Sequence, residues 1–429
     1  MTTTQLERPA PVLSRVTQLR HTTPGRLQLI VAVLLVVGLL TGLVAGLTAY
    51  SAGSGTDDLG NRSQPLLVEA ETIYSALADA DTTAAQAFLT GGLEPVALTD
   101  RYDADLVRAT AALTSAARRT PDSGTAADAV QALSSGVPQY AALVATARAD
   151  NRQGLPVGAS YLSAASALNR DTLLPQADAL FRAAQTDVNS GYGNARSVIW
   201  VTVLGLLLVA LFVTLIRVQR HLSRTTHRTF NLPLVAATAV AAVLTLGVAG
   251  ILVAQETQLR SAQNDGSRPV ALLANARIQA LRERGDEALT LAARGGSGPL
   301  ETDFTSGAKP ALDQQIAAIR RDYDSSLAQT LTDRHNAYVA AHTAVRKLDD
   351  GGDYDGAVAL AIGPQTSKTF TALTDEIGTT LEKRKDVFAA DISAAGRGLG
   401  LLTVAGPLLA LIICALAVAG IRARLEEYR

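Results

Sequence analysis

Four long apolar runs, residues 27–48, 198–218, 232–254 and 398–421, limit the folds open to this chain. Each holds about 20 residues, with no Asp, Glu, Lys or Arg inside it except Arg217 near one end. At about 1.5 Å of rise per residue, each is long enough to cross a hydrocarbon core of roughly 30 Å as a helix. The sequence therefore predicts a polytopic membrane protein. A cleaved signal peptide is the rival reading of the first run. That run exceeds the usual 7–15 apolar residues of a signal core, and Leu47-Thr48-Ala49-Tyr50 lacks a small-x-small cleavage site, so an uncleaved helix is expected.

Orientation follows from Lys and Arg in the short connections. Residues 1–26 carry Arg8, Arg15, Arg20 and Arg26 against one acid, Glu7. Arg217, Arg220, Arg224 and Arg228 lie around the connection between the second and third runs, and no acid accompanies them. The end of the chain carries Arg422, Arg424 and Arg429 against Glu426 and Glu427. All three read as cytoplasmic, in a plasma membrane, with both termini inside. The long segments are acidic: 51–197 holds 10 basic and 16 acidic side chains, and 255–397 holds 17 and 20.

The expected order is a cytoplasmic tail (1–26), transmembrane helix (27–48), extracytoplasmic bundle (49–197), helix (198–218) and cytoplasmic loop (219–231). A second set follows: helix (232–254), extracytoplasmic bundle (255–397), helix (398–421) and cytoplasmic tail (422–429). The lone cysteine, Cys414, falls in the fourth run, so the long segments must hold together by packing rather than by disulfides.

Those two segments repeat one another. Pro65 answers to Pro269, Ile73 to Ile278, and Gly91-Gly92 to Gly295-Gly296. Leu106 and Leu113 answer to Leu312 and Ile319, then Tyr140, Gly154 and Gly158 to Tyr338, Gly352 and Gly356. Sparse identity in consistent order indicates duplication of a helix–domain–helix unit. Leu66, Ala70, Ile73, Leu77, Ala80, Ala84 and Ala87 keep a 4-3-4-3 spacing, and Ala274, Ile278, Leu281, Gly285, Ala288 and Ala292 do the same. That period puts one apolar stripe along a helix, as bundle packing needs.

Breaks fall at Gly91-Gly92 with Pro95, at 121–124 and at 154–156 in the first segment. In the second they fall at 295–299, 324–326 and Gly351-Gly352. Pro65 and Pro269 predict kinks in the helices leaving the membrane, and Pro138, Pro175 and Pro364 predict kinks or boundaries. The fold class is all-α: four transmembrane helices and two tandem extracytoplasmic four-helix bundles. This layout resembles the sensor modules of chemoreceptors and histidine kinases, without their cytoplasmic domains.

The inventory of chemical motifs gives no sign of an enzyme, a nucleic-acid binder or a cofactor site. There is no Walker loop, no Gly-rich dinucleotide turn and no Cys–His cluster. His335 and His342, seven residues apart, read as solvated or interhelical rather than as metal ligands. The acidic stretch 349–356 fails the calcium-loop pattern, because Ile362 stands at the closing position, and reads as a Gly-rich turn. A transport role would call for charged residues inside the spans or broken helices, and Pro407 is the one clear break. Gly38, Gly42 and Gly46 form a GxxxGxxxG face for close helix packing, within the chain or between two copies as a homodimer. Arg217, Arg220, Arg224 and Arg228 form a basic stripe suited to anionic membrane lipids or to an acidic cytoplasmic partner.

Six segments, at 23–27, 79–95, 151–162, 284–295, 352–363 and 425–429, together with the four-span layout, resemble the GlnX family of actinobacterial membrane proteins. The resemblance implies a relay. A substrate-binding lipoprotein of the glutamine/glutamate type reports aspartate or glutamate outside, and a cytoplasmic Ser/Thr kinase, protein kinase G, receives the signal. It carries over no functional residues. Expectation therefore rests on a non-enzymatic transmembrane relay. A direct small-molecule sensor and an accessory transporter component are the alternatives.

Overall fold

The computed structural model describes residues 23–91, 93–226, 231–293 and 298–425 of the protein. Every element among them is helical, with no strand. The chain divides into two compact units. One comprises 1–57, 192–258 and 394–429; the other comprises 58–191 and 259–393.

The first unit, here the apolar unit, is built from four helices long and apolar enough to cross a membrane. They belong to α1 (Thr23–Asp58), α7 (Val198–Thr226), α8 (Leu232–Ser261) and α15 (Leu399–Leu425). Leu34, Leu204, Leu211, Leu215, Leu234, Leu244, Ile413 and Ile421 meet in its core, each 2% exposed or less. Val36, Leu43, Leu206, Leu246, Leu401 and Leu408 face outward instead. Apolar side chains on both the inner and outer faces suit a helix set whose solvent is lipid.

The second unit, here the polar unit, contains α2 (Gln64–Leu89), α3 (Val96–Arg119), α4 (Thr125–Arg152), α5 (Val157–Leu168) and α6 (Leu174–Arg196, to Gly191) from the first segment. From the second come α9 (Arg268–Ala292), α10 (Pro299–Asp303), α11 (Lys309–Asp322), α12 (Ser325–Asp350), α13 (Tyr354–Ala361) and α14 (Pro364–Ala395, to Ser393). The apolar stripe of α2 is buried throughout, from Leu66 to Ala87. Helix breaks fall at the Gly/Pro positions read from the sequence. Gly91, Gly154 and Gly352 take left-handed backbone there, with φ of 65°, 68° and 86°.

One feature differs from the sequence reading. The duplicated segments do not form separate bundles in tandem; they pack into one compact unit in which α2 lies against α9. Both helices are consequently buried on more than one stripe. Ala76, Ala78, Ala85 and Thr83 of α2 are 5% exposed or less although they lie off the 4-3-4-3 positions. Ala85 forms an apolar cluster with Ala288 and Leu289 of the other segment.

Proline also leaves a local mark on the helices. Pro65, Pro175, Pro269 and Pro310 each follow a π-turn by two residues, at Leu59–Ser63, Asn169–Leu173, Ala262–Ser267 and Phe304–Ala308. A proline ring clashes with the carbonyl one turn back and cannot donate to it, and a widened turn absorbs both problems without ending the helix. Helical hydrogen bonding therefore continues through all four sites. Pro138 and Pro407 sit inside α-helices, and Pro364 opens α14. Where α7 and α15 begin, by contrast, a left-handed residue interrupts the helix: Ser197 at φ 46° and Gly398 at φ 85°.

Candidate functional site

The residues that join the two segments of the polar unit are charged and buried. Glu71 of α2, 1% exposed, accepts from Lys385 Nζ of α14 at 3.1 Å and from Arg277 Nη1 of α9 at 3.3 Å. Arg277 also stands 3.9 Å from Asp79, which Arg101 and Arg108 approach at 3.7 and 3.5 Å. Burial raises the Asp79 carboxyl despite these three guanidiniums. Arg284 of α9 pairs with Glu287, donates to Ala361 O at 3.1 Å and lies over the Phe370 ring. With its amide oxygen turned toward that guanidinium, Gln86 of α2 accepts at 3.2 and 3.1 Å.

The duplication survives in this chemistry. Tyr140 and Tyr338, both fully buried, each donate to a carboxylate on the first helix of their own segment: Asp81 at 3.3 Å and Glu287 at 3.4 Å. The second segment adds two histidines. His335 Nε2 lies 2.9 Å from Glu283 and its Nδ1 lies 3.1 Å from Asp313. His342 sits between Glu287 at 3.0 Å and Glu301 at 3.3 Å, stacked on Phe304 with ring centroids 3.7 Å apart. Both are interhelical. No group of three or more His, Cys, Asp or Glu is placed to hold a metal among the described residues.

Burial pushes the His342 pKa down, but the two carboxylates outweigh it and leave it at about 9. A histidine whose folded pKa exceeds its unfolded value of 6.5 contributes stability that is complete below about pH 6.5 and gone above about pH 9. The full effect is roughly 3 kcal/mol, from about 1.4 kcal/mol per pKa unit. Denaturation of wild type against His342→Gln across pH 6–10 checks this. The wild-type advantage should disappear as pH rises through that window.

The four longer segments that carry the family resemblance converge at one end of the polar unit. Phe88 to Gly91 at the end of α2, the α4–α5 turn with Asn151, Gly154, Leu155 and Pro156, Ala292 and Ala293 ending α9, and Tyr354 to Ile362 of α13 line one open cleft of about 1170 Å³. Local bonds hold its rim. Asn151 Nδ2 donates to Phe88 O at 3.2 Å, and the Tyr354 hydroxyl donates to Leu291 O at 2.9 Å. The acidic turn serves structure: Asp353 caps α13 through Gly356 N, and Arg346 bonds Asp349 and Asp350. Leu155 of this lining is exposed, and Leu93, Val157 and Tyr161, near the lining residues in sequence, are exposed as well.

The residues singled out from the sequence lie in the apolar unit. Gly38, Gly42 and Gly46 face α15. A Cβ added at each would stand 2.5 Å from Cys414 Sγ, 2.6 Å from Ala410 Cβ and 3.2 Å from Pro407 Cγ. Arg217 and Arg220 are exposed on α7, Arg224 continues that helix, and Arg228 lies outside the described residues, as do Gly92, Gly295 and Gly296. Sequence reasoning missed the buried charges. Their signal was the small-residue content of α2, where Ala and Thr on several faces mark a helix surrounded by others.

Residues 55–193 match the family model described as an actinobacterial sensor domain. The match covers the first segment of the polar unit, 58–191, from end to end. No curated protein and no solved structure matches the chain.

Proposed function

We propose that this protein is a transmembrane signal relay whose polar unit stands outside the plasma membrane and whose arginine-bearing ends stand inside. The observation that carries this reading is the sensor-domain match over 55–193, in a chain with four helices able to cross a membrane. A sensor of this build has no need of catalysis. A partner that prefers one arrangement of the polar unit biases the helices running from it, and a coupling of about 1–3 kcal/mol suffices for a switch.

In the finer reading, implied by the GlnX-like segments, the outer partner is an amino-acid-binding lipoprotein and the inner one a cytoplasmic Ser/Thr kinase. The lipoprotein docks on the cleft where the four segments meet. Leu155, which lines the cleft, and Tyr161, exposed on α5, supply the apolar contact that protein interfaces use at their centres. Arg217, Arg220, Arg224 and Arg228 meet the kinase together with anionic lipid.

Affinity capture of the full chain from native membranes, with proteins identified by mass, tests both levels. Wild type should retain an amino-acid-binding lipoprotein and a Ser/Thr kinase. Leu155→Asp with Tyr161→Asp should lower lipoprotein recovery at least tenfold and leave the kinase. If wild type captures neither, the relay is wrong; if the variant captures the lipoprotein unchanged, the docking cleft is wrong.

A further inference from the structure

Beside the buried charges, a second cleft of about 720 Å³ opens between α2, the Asn169–Leu173 turn with α6, and α9–α10, entirely within the polar unit. Five aspartates line it against three arginines, an excess of two acids. Several of these groups satisfy one another. Arg282 clasps Asp303 with two bonds of 2.9 and 2.7 Å, and Asp178 pairs with Arg182 at 2.6 Å. Asp81 accepts from Ser166 at 2.9 Å and from Tyr140.

What remains is three buried acceptor atoms without a partner. Asp286 is 1% exposed; its Oδ1 lies 3.7 Å from Arg170, its Oδ2 accepts from no protein donor, and in its protonated form the carboxyl bonds Asp303. Asn169 is fully buried and donates its amide to Leu77 O at 3.1 Å, which leaves Oδ1 as a free acceptor. Gln279 Oε1 is the third. Only one unpartnered buried donor lines the same cleft, Arg170 Nε. Leaving such atoms unsatisfied costs about 1–3 kcal/mol each, and a native fold keeps them where something else completes them.

We propose that this cleft is a binding site for a small organic ammonium compound, its N–H donors directed to Asp286, Asn169 and Gln279. An ammonium group supplies three donors and a positive charge, which matches three acceptors in a cleft of net negative charge. Asp286 precedes Glu287, which accepts from Tyr338 as Asp81 accepts from Tyr140, and the cleft is lined by both of the duplicated first helices. Burial and the neighbouring Asp303 push the Asp286 pKa up to about 8, against Arg170 and Arg282. A cation beside Asp286 favours its ionised form, so binding is opposed by protonation of this carboxyl. The inference stands apart from the relay: failure to capture a lipoprotein leaves it intact, and failure to bind an amine leaves the relay intact.

Calorimetric titration of the full chain in lipid nanodiscs tests it, with n-butylamine as the probe and butyrate as its anionic counterpart. Butylamine should bind saturably at one site, and more tightly at pH 8 than at pH 6, because it competes with the Asp286 proton. Asp286→Asn should weaken binding at least tenfold. Gln279→Leu, which removes an acceptor without touching a charge, should weaken it about threefold and decides the matter if Asp286→Asn does not fold. Arg118→Gln, at an exposed residue of α3 outside both clefts, should bind as wild type does. Absence of butylamine binding, equal binding of butyrate, or unchanged affinity in the folded variants would overturn the proposal.

Discussion

Glu71→Ala is expected to lower the stability of the polar unit by roughly 3–5 kcal/mol, the range for removing one partner of a buried ion pair. The reason is geometric. Among the described residues, Glu71 is the only carboxylate that both Lys385 and Arg277 contact, and these bases come from the second segment, about 200 to 300 residues further along. Lys385 is 7% exposed and keeps only Glu382 when Glu71 is lost; Arg277 keeps only Asp79 at 3.9 Å. Glu71→Gln, which preserves an acceptor oxygen, should cost less. Hydrogen exchange of the full chain localises the effect, with protection falling together in α2, α9 and α14. A loss below about 1 kcal/mol would mean that water already reaches these bases, and that the two segments are not joined through this cluster.

Gly42→Leu should have a comparable effect in the apolar unit. The added Cβ alone would meet Ala410 Cβ at 2.6 Å and the Pro407 Cα at 3.3 Å, and neither atom can swing aside as a long side chain could. Overpacking of this kind usually costs about 1–3 kcal/mol, and contact with backbone puts this site at the upper end. Small residues let helices approach closely where lipid offers no hydrophobic drive. A cross-link reads the packing directly. With Cys414 replaced by Ala, the pair Ala45→Cys and Gly406→Cys should oxidise within a single chain, because a Cβ at Gly406 would stand 3.1 Å from that of Ala45. Adding Gly42→Leu should abolish the cross-link. A covalent dimer in place of the internal bond would place this glycine face between two copies instead.

The four apolar helices, the burial of the stripe from Leu66 to Ala87, and the breaks at Gly91, Pro121 and Gly154 were legible in the sequence. Each depends on local spacing or on one residue's backbone preference. The joining of the two segments was not legible. Glu71 and Lys385 lie 314 positions apart, and no local pattern announces that a lysine on α14 neutralises a glutamate on α2. His335 and His342 were visible as a seven-residue pair, but their partners Glu283 and Glu287 become meaningful only once α9 faces α12. The π-turns were half legible. Proline marked the positions, but the widened turn beside each carries no sequence pattern of its own. Gly38, Gly42 and Gly46 announced close packing without naming α15 as the neighbour.

The most direct test of the relay is the sidedness of the polar unit. In a Cys414→Ala background, single substitutions Leu93→Cys and Arg220→Cys place a thiol on an exposed residue of each unit. Intact cells are then treated with a membrane-impermeant maleimide. Labelling of the Leu93→Cys protein in intact cells, with the Arg220→Cys protein labelled only after permeabilisation, is the predicted result. The reverse pattern would put the polar unit in the cytosol and contradict the relay.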